Sequence, residues 1–183
     1  MKNNLTTGET SEKQWTEVME RHRAAVANYL HIASEINAVN WRIPVEAEKW
    51  TPAQITEHLI LTYQVFVKQI GGEQNIEMVY GFLLRRVLRL VVLTKIFRTR
   101  RFPRGAKAPK EILPTESNQT LEAALKQLEE SAGEFEMTAS AHRNEKNLRL
   151  THHVFGEIKL LEAVDLAAIH TEHHTRQLPQ GQK

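Results

Sequence analysis

Apolar residues in this 183-residue chain recur at intervals of three and four along several long stretches, and no stretch alternates well enough to read as a strand. That spacing belongs to helices with one buried face. Trp15, Val18, His22, Ala25, Tyr29, Ala33 and Ile36 share such a face, and Ser11 with Gln14 makes a capping box ahead of them. A first helix is therefore predicted from about Glu12 to Ile36, followed by a polar loop over 37–50. The second starts at Thr51, with Pro52 in its first turn and Gln54 completing the box, and stops at Gly71-Gly72. Its inner face is Ile55, Leu59, Thr62 and Phe66. A third is predicted from about Gln119 to Ala139, with Leu121, Leu125, Leu128, Ala132 and Phe135 inward, and a fourth from about Glu157 to Leu178. No internal repeat is present. Four long amphipathic helices predict an all-α fold, a four-helix bundle. The length suits one domain over 1–183, with 1–10 flexible and 179–183 a short tail.

Between the second and third helices the pattern changes. Met78 to Phe97 keeps a helical period broken by arginine pairs, and the run RTRRFPRGAKAPKEILP after it reads as a basic extended loop punctuated by proline. From Met78 to Lys110 there are ten Lys and Arg and no Asp or Glu, so the remaining fourteen basic residues face twenty-two acidic ones. The overall net charge of +2 thus hides a basic segment on an acidic body. Three partners fit Arg85, Arg86, Arg89, Lys95, Arg98, Arg100, Arg101 and Arg104 interleaved with Leu, Val and Phe. They are a protein surface, the second subunit included, an anionic membrane surface, or nucleic acid. The last is disfavoured because no recognition module accompanies the charge.

The chain has no cysteine, which excludes disulfides, zinc–thiolate sites, iron–sulfur clusters and a cysteine nucleophile. It has nine histidines. The opening MKNNLTTGETSEKQ has no apolar stretch and no uncharged apolar run is long enough to span a bilayer, so a cytoplasmic location is expected. In the fourth helix His170 and His174 stand one turn apart in the middle of the apolar stripe that Ala163, Ala167 and Leu178 define, with His173 at its edge. Two imidazoles at that spacing on a buried face can hold one metal ion, as in helical zinc motifs. The glutamate of those motifs is absent. Two neutral core imidazoles with separate hydrogen-bond partners satisfy the same pattern. His58, beside Ile55, Leu59 and Thr62 in the second helix, is either a satisfied core histidine or the third ligand. Three imidazoles would leave coordination positions open, as catalytic sites do, and suit zinc, nickel, copper or iron.

The run WTPAQITEHL at 50–59, Phe155-Gly156, and the pattern H-x-x-H-H-x-R-Q-L at 170–178 together resemble the DinB/YfiT-like superfamily of small bacterial metalloproteins. The resemblance covers most of the chain from the first helix onward. It implies a bundle of up-down-down-up order, a divalent metal, a homodimer, and the ligands His58, His170 and His174. Zinc or nickel is the expected ion. The resemblance also implies a metal-dependent hydrolase or a thiol-dependent transferase acting on a small-molecule substrate. The basic insertion between helices 2 and 3, around Arg85 to Arg104, departs from the resemblance, being longer than in compact members. Several relatives carry His-Pro shortly before Phe-Gly, where this chain reads His152-His153-Val154.

No catalytic base is assigned. Glu57 and Glu172 neighbour ligands but point about 100° away from them on their helices. Gln54 and Gln177 lie one turn from ligands, and each is either a support for a ligand or, respectively, a capping residue and a surface amide. His22 is read as a core histidine, and His31, His142, His152 and His153 as edge or loop residues. Trp15, Trp41 and Trp50 are read as core or loop anchors. The competing function is a non-catalytic helical bundle with a structural or vestigial metal, working by docking to a protein or a membrane through Arg85–Arg104.

Overall fold

Thr51 closes both halves of its capping box. Its hydroxyl accepts the Gln54 N–H at 3.2 Å, and the Gln54 side-chain carbonyl accepts the Thr51 N–H at 3.0 Å. With Pro52 at the first position, these bonds satisfy the amides that begin α2, Pro52–Ile70. Gly72, at φ 74°, takes the left-handed turn that leads away from its end. The structure is a computed structural model describing residues 3–103, 105, 107–115 and 119–179, with side chains from residue 11 onward. Arg104 and residues 180–183 of the expected tail lie outside the described residues.

Helix α1 is Asn3–Ser34 and begins before the expected Glu12. Two short helices follow α2: α3, Phe82–Leu88, and α4, Thr94–Thr99, joined by a π-helical turn over Arg89–Leu93. Helix α5 is Leu121–Ala141, where Thr120 accepts the Ala123 N–H at 3.2 Å. Helix α6 is Leu160–Thr175. α1 packs on α6 and α2 on α5, while α1 also meets α5 and α2 meets α6. Their shared core holds Tyr29, Leu59, Tyr63, Leu128, Phe135, Val164 and Ile169, all fully buried. Each such apolar side chain contributes roughly 1.5–3 kcal/mol of transfer free energy. Apolar residues circle most of α6, and Ala163, Val164, Leu166, Ala167, Ala168 and Ile169 are all buried, as expected for a helix covered on nearly every side.

The protein is predominantly helical, but the expectation of no strand is corrected by a hairpin of β1, Arg149–His152, and β2, Gly156–Lys159. The strands pair antiparallel with Leu150 opposite Ile158, and both side chains are fully buried. Four residues per strand offer too few alternations to stand out in the sequence. The turn needs Gly156, which sits at φ 72°; a Cβ there would come within 3.4 Å of the Arg85 side chain. The hairpin takes over the residues expected to begin the fourth helix. That helix starts instead at Leu160, where the Glu162 carboxylate accepts the Lys159 N–H at 2.8 Å.

The basic segment is helical as far as Thr99 and is fastened by its inner side. Leu93 and Ile96 enter the core, and Leu88, Val92 and Phe97 pack against it. Arg89 bonds the Glu162 carboxylate at 2.9 Å and the Glu157 carbonyl. Arg100 ends α4 in the left-handed region at φ 50°, a conformation that costs a non-glycine residue roughly 1–2 kcal/mol. Its guanidinium offsets that cost by bonding Glu172 through Nε at 3.1 Å and Asp165 through Nη1 at 3.1 Å, both on α6. Among the described residues no helix is long and apolar enough to cross a membrane.

Candidate metal centre

His58 projects from the middle of α2, and His170 and His174 from the last turns of α6. The α2–α6 contact brings the three rings together, with centroids 4.9, 4.8 and 4.6 Å apart. His170 Nε2 lies 3.1 Å from His58 Nε2 and 3.0 Å from His174 Nε2. His58 and His174 are buried and His170 is half-buried.

The remaining ring nitrogens decide the tautomers. His58 Nδ1 lies 2.6 Å from the Ile112 carbonyl, which only accepts, so Nδ1 carries the proton and Nε2 a lone pair. His174 Nδ1 donates to the Gln177 side-chain oxygen at 2.8 Å, which leaves its Nε2 as a lone pair too. Burial holds all three rings neutral. His58 is lowered to about 4, with the Ile112 carbonyl opposing the shift. His170 and His174 are lowered well below the usual histidine range, first by burial and then by the neighbouring imidazoles. A neutral His170 can place at most one proton in its two Nε2 contacts, so at least one of the facing Nε2 lone pairs, on His58 or His174, is left without a donor. A cation between the three nitrogens satisfies them all. Imidazole nitrogens about 2.0–2.1 Å from one zinc ion stand a little over 3 Å apart, close to the two spacings at His170. The donor set therefore fits a divalent metal, and the cluster can hold one.

Aromatic rings wall the cluster. Trp50, at the start of α2, lies 4.8 Å from the His58 ring and stacks 6.3 Å from His174. Phe102, just beyond α4, meets His170 and His173 edge-on, each at 5.6 Å. Of the two glutamines, Gln54 is spent on its helix cap, whereas Gln177 holds the His174 ring and also donates its amide to His173 Nε2 at 2.9 Å. Both neighbouring carboxylates are engaged elsewhere. Glu57 accepts the Thr115 N–H at 3.1 Å and its hydroxyl at 2.7 Å, and Glu172 holds Arg100. No base is therefore found at either position.

Sequence reasoning missed the Ile112 carbonyl, a backbone atom in a short 3-10 turn over Lys110–Ile112 that carries no side-chain signature. His22 is a core residue: its Nδ1 meets Glu136 at 2.9 Å and its Nε2 meets the Tyr63 hydroxyl at 3.0 Å, away from the three-ring cluster. His31 is exposed on α1, and His142 caps the end of α5 through the Thr138 carbonyl. His152 and His153 stack on one another at the hairpin turn, 4.6 Å apart. Trp41 is core, and Trp15 packs against it from the edge.

A family model described as the DinB superfamily matches residues 18–178. Neither the curated proteins nor the solved structures contain a match.

Proposed function

The chain belongs to the DinB superfamily, and from that membership we propose that it is a divalent-metal-dependent enzyme acting on a small molecule, either a hydrolase or a thiol-dependent transferase. His58, His170 and His174 are its metal ligands, and zinc or nickel suits them best. The observation that carries this reading is the pair of Nε2 contacts at His170, which share at most one proton between them. Three protein ligands leave positions for water and substrate, a catalytic rather than a structural arrangement. When bound, the ion supplies Lewis-acid chemistry, polarising a substrate oxygen or acidifying water.

The chain's own residues aim and shelter the site. The Ile112 carbonyl and Gln177 hold the outer nitrogens of His58 and His174, turning both Nε2 lone pairs inward. Trp50 and Phe102 keep water off the ring faces. Glu57 pins the Ile112 loop through Thr115 rather than taking a proton from substrate. With no cysteine in the chain, thiol transfer draws its thiol from a second substrate.

The helix pairings α1–α6 and α2–α5 support a four-helix bundle of up-down-down-up order, in one domain with the basic segment inserted between its second and third helices. Family membership supports a homodimer. Elemental analysis of untagged protein tests the central claim. About one divalent ion per chain is expected, with loss in His58→Ala/His170→Ala while helicity is retained. A folded protein that takes up no metal from zinc, nickel, copper or iron overturns it.

A further inference from the structure

The helical segment α3–α4 shows water the wrong face. Its inner side is in the core, yet Val79, Phe82, Leu83, Val87, Leu90 and Val91 are all largely exposed, Leu83 by 79% and Leu90 by 70%. A solvated helix places polar residues there, and a continuous exposed apolar strip marks an interaction surface. Positive charge borders the strip. Arg86, Lys95, Arg98 and Arg101 are exposed, and none of them enters an ion pair among the described residues. Arg86 lies over the Phe82 ring, 6.0 Å from its centroid. Within 82–101 the cations in ion pairs among the described residues are Arg89 and Arg100, and both fasten the segment to α6.

We propose that this strip docks on an anionic lipid bilayer, the apolar side chains entering the acyl boundary and the free cations meeting the headgroups. Charge selects this occupant. The segment 78–110 carries ten positive and no negative side chains, so a second copy meeting it across a two-fold axis sets like charge on like charge. Nucleic acid matches the charge but gains nothing from a projecting row of Leu and Val. An anionic bilayer matches both halves of the surface. The proposal does not depend on bound metal.

The test is co-sedimentation of the full chain with vesicles of phosphatidylcholine alone, or with about one-third phosphatidylglycerol. Binding on the order of tenfold tighter to the anionic vesicles, weakening with added salt, is expected. Leu83→Glu/Leu90→Glu and Arg86→Gln/Lys95→Gln/Arg98→Gln alter exposed side chains, so both variants keep wild-type circular dichroism and both lose vesicle binding. Absence of binding, equal binding to the two vesicle types, or undiminished binding by the leucine variant overturns the proposal. A wild-type dimer that Leu83→Glu/Leu90→Glu converts to monomer by light scattering assigns the strip to a second copy and also overturns it. So does duplex DNA binding that is tighter than vesicle binding and unchanged in the leucine variant.

Discussion

Gln177 accepts the Nδ1 proton of His174 at 2.8 Å while its amide group donates to His173 at 2.9 Å. One side chain thus sets the tautomer of one ring of the three-histidine cluster and is itself oriented by a histidine outside it. Gln177→Ala removes the acceptor, and the His174 ring becomes free to turn or to protonate the nitrogen that faces the cluster. Partners of this kind are worth roughly 10–100-fold in metal affinity. Competition against a chromogenic chelator is expected to show a loss in that range with unchanged helicity. An affinity equal to wild type would show that His174 needs no such support.

The cluster and its support at Gln177 are legible in the sequence, whereas the support of His58 is not. His170 and His174 declared themselves because a polar pair in the centre of an apolar stripe contradicts its surroundings, and His58 because its helix had an unambiguous start at Thr51 and Pro52. The Ile112 carbonyl lies 54 residues from His58 and would be a carbonyl whatever residue stood there. The hairpin hid for a different reason: only Leu150 and Ile158 alternate inward, and Phe155 and Leu160 continue an apparent helical period. Arg100 was counted as one of a basic run, though its side chain belongs to α6 and only its neighbours remain free.

Tyr63 ties three helices through one hydroxyl. It meets His22 Nε2 from α1 at 3.0 Å and Thr171 Oγ1 from α6 at 2.7 Å, fully buried. Tyr63→Phe keeps the ring contacts with Phe135, strands His22 Nε2, and leaves the Thr171 hydroxyl only its bond to the Ala167 carbonyl. An unsatisfied buried group costs roughly 1–3 kcal/mol. Urea unfolding is expected to show a loss in that range with an unchanged slope, and a neutral substitution would mean that the two partners re-pair without the phenol.

Glu136 gives the protein a specific acid sensitivity. Burial pushes its carboxyl up, but the hydrogen bonds from His22 at 2.9 Å and Arg23 at 2.8 Å, with their charges, outweigh burial and leave it below the ordinary carboxylate value. A carboxylate depressed in the folded state stabilises the fold fully above its unfolded value, about 4.3, and that stability is lost as pH falls through the lower folded value. Glu136→Gln keeps the shape and removes the charge. Wild type is therefore expected to melt above the variant by a constant margin at neutral pH, with the margin closing in acid below about pH 4. A margin that persists unchanged at the most acid pH would place the stabilisation elsewhere.

Metal loading should register as stability, because the cluster exists only when α2 and α6 are packed together. The unfolded chain holds His58 more than a hundred residues from its two partners and has no preformed site to compete. A ligand that binds only the folded state stabilises it by about 2.7 kcal/mol at a free concentration one hundred times its dissociation constant. For a chain of this size that corresponds to a rise of several degrees in the melting temperature, roughly 2–4 °C per kcal/mol. Zinc or nickel added to chelator-stripped protein is expected to produce that rise in wild type and none in His58→Ala/His170→Ala. In the absence of metal the double variant is expected to be less stable, because it leaves cavities and strands the Ile112 carbonyl, so the reading is the metal-induced rise within each protein. A rise in the double variant equal to that of wild type would place the ion at another site.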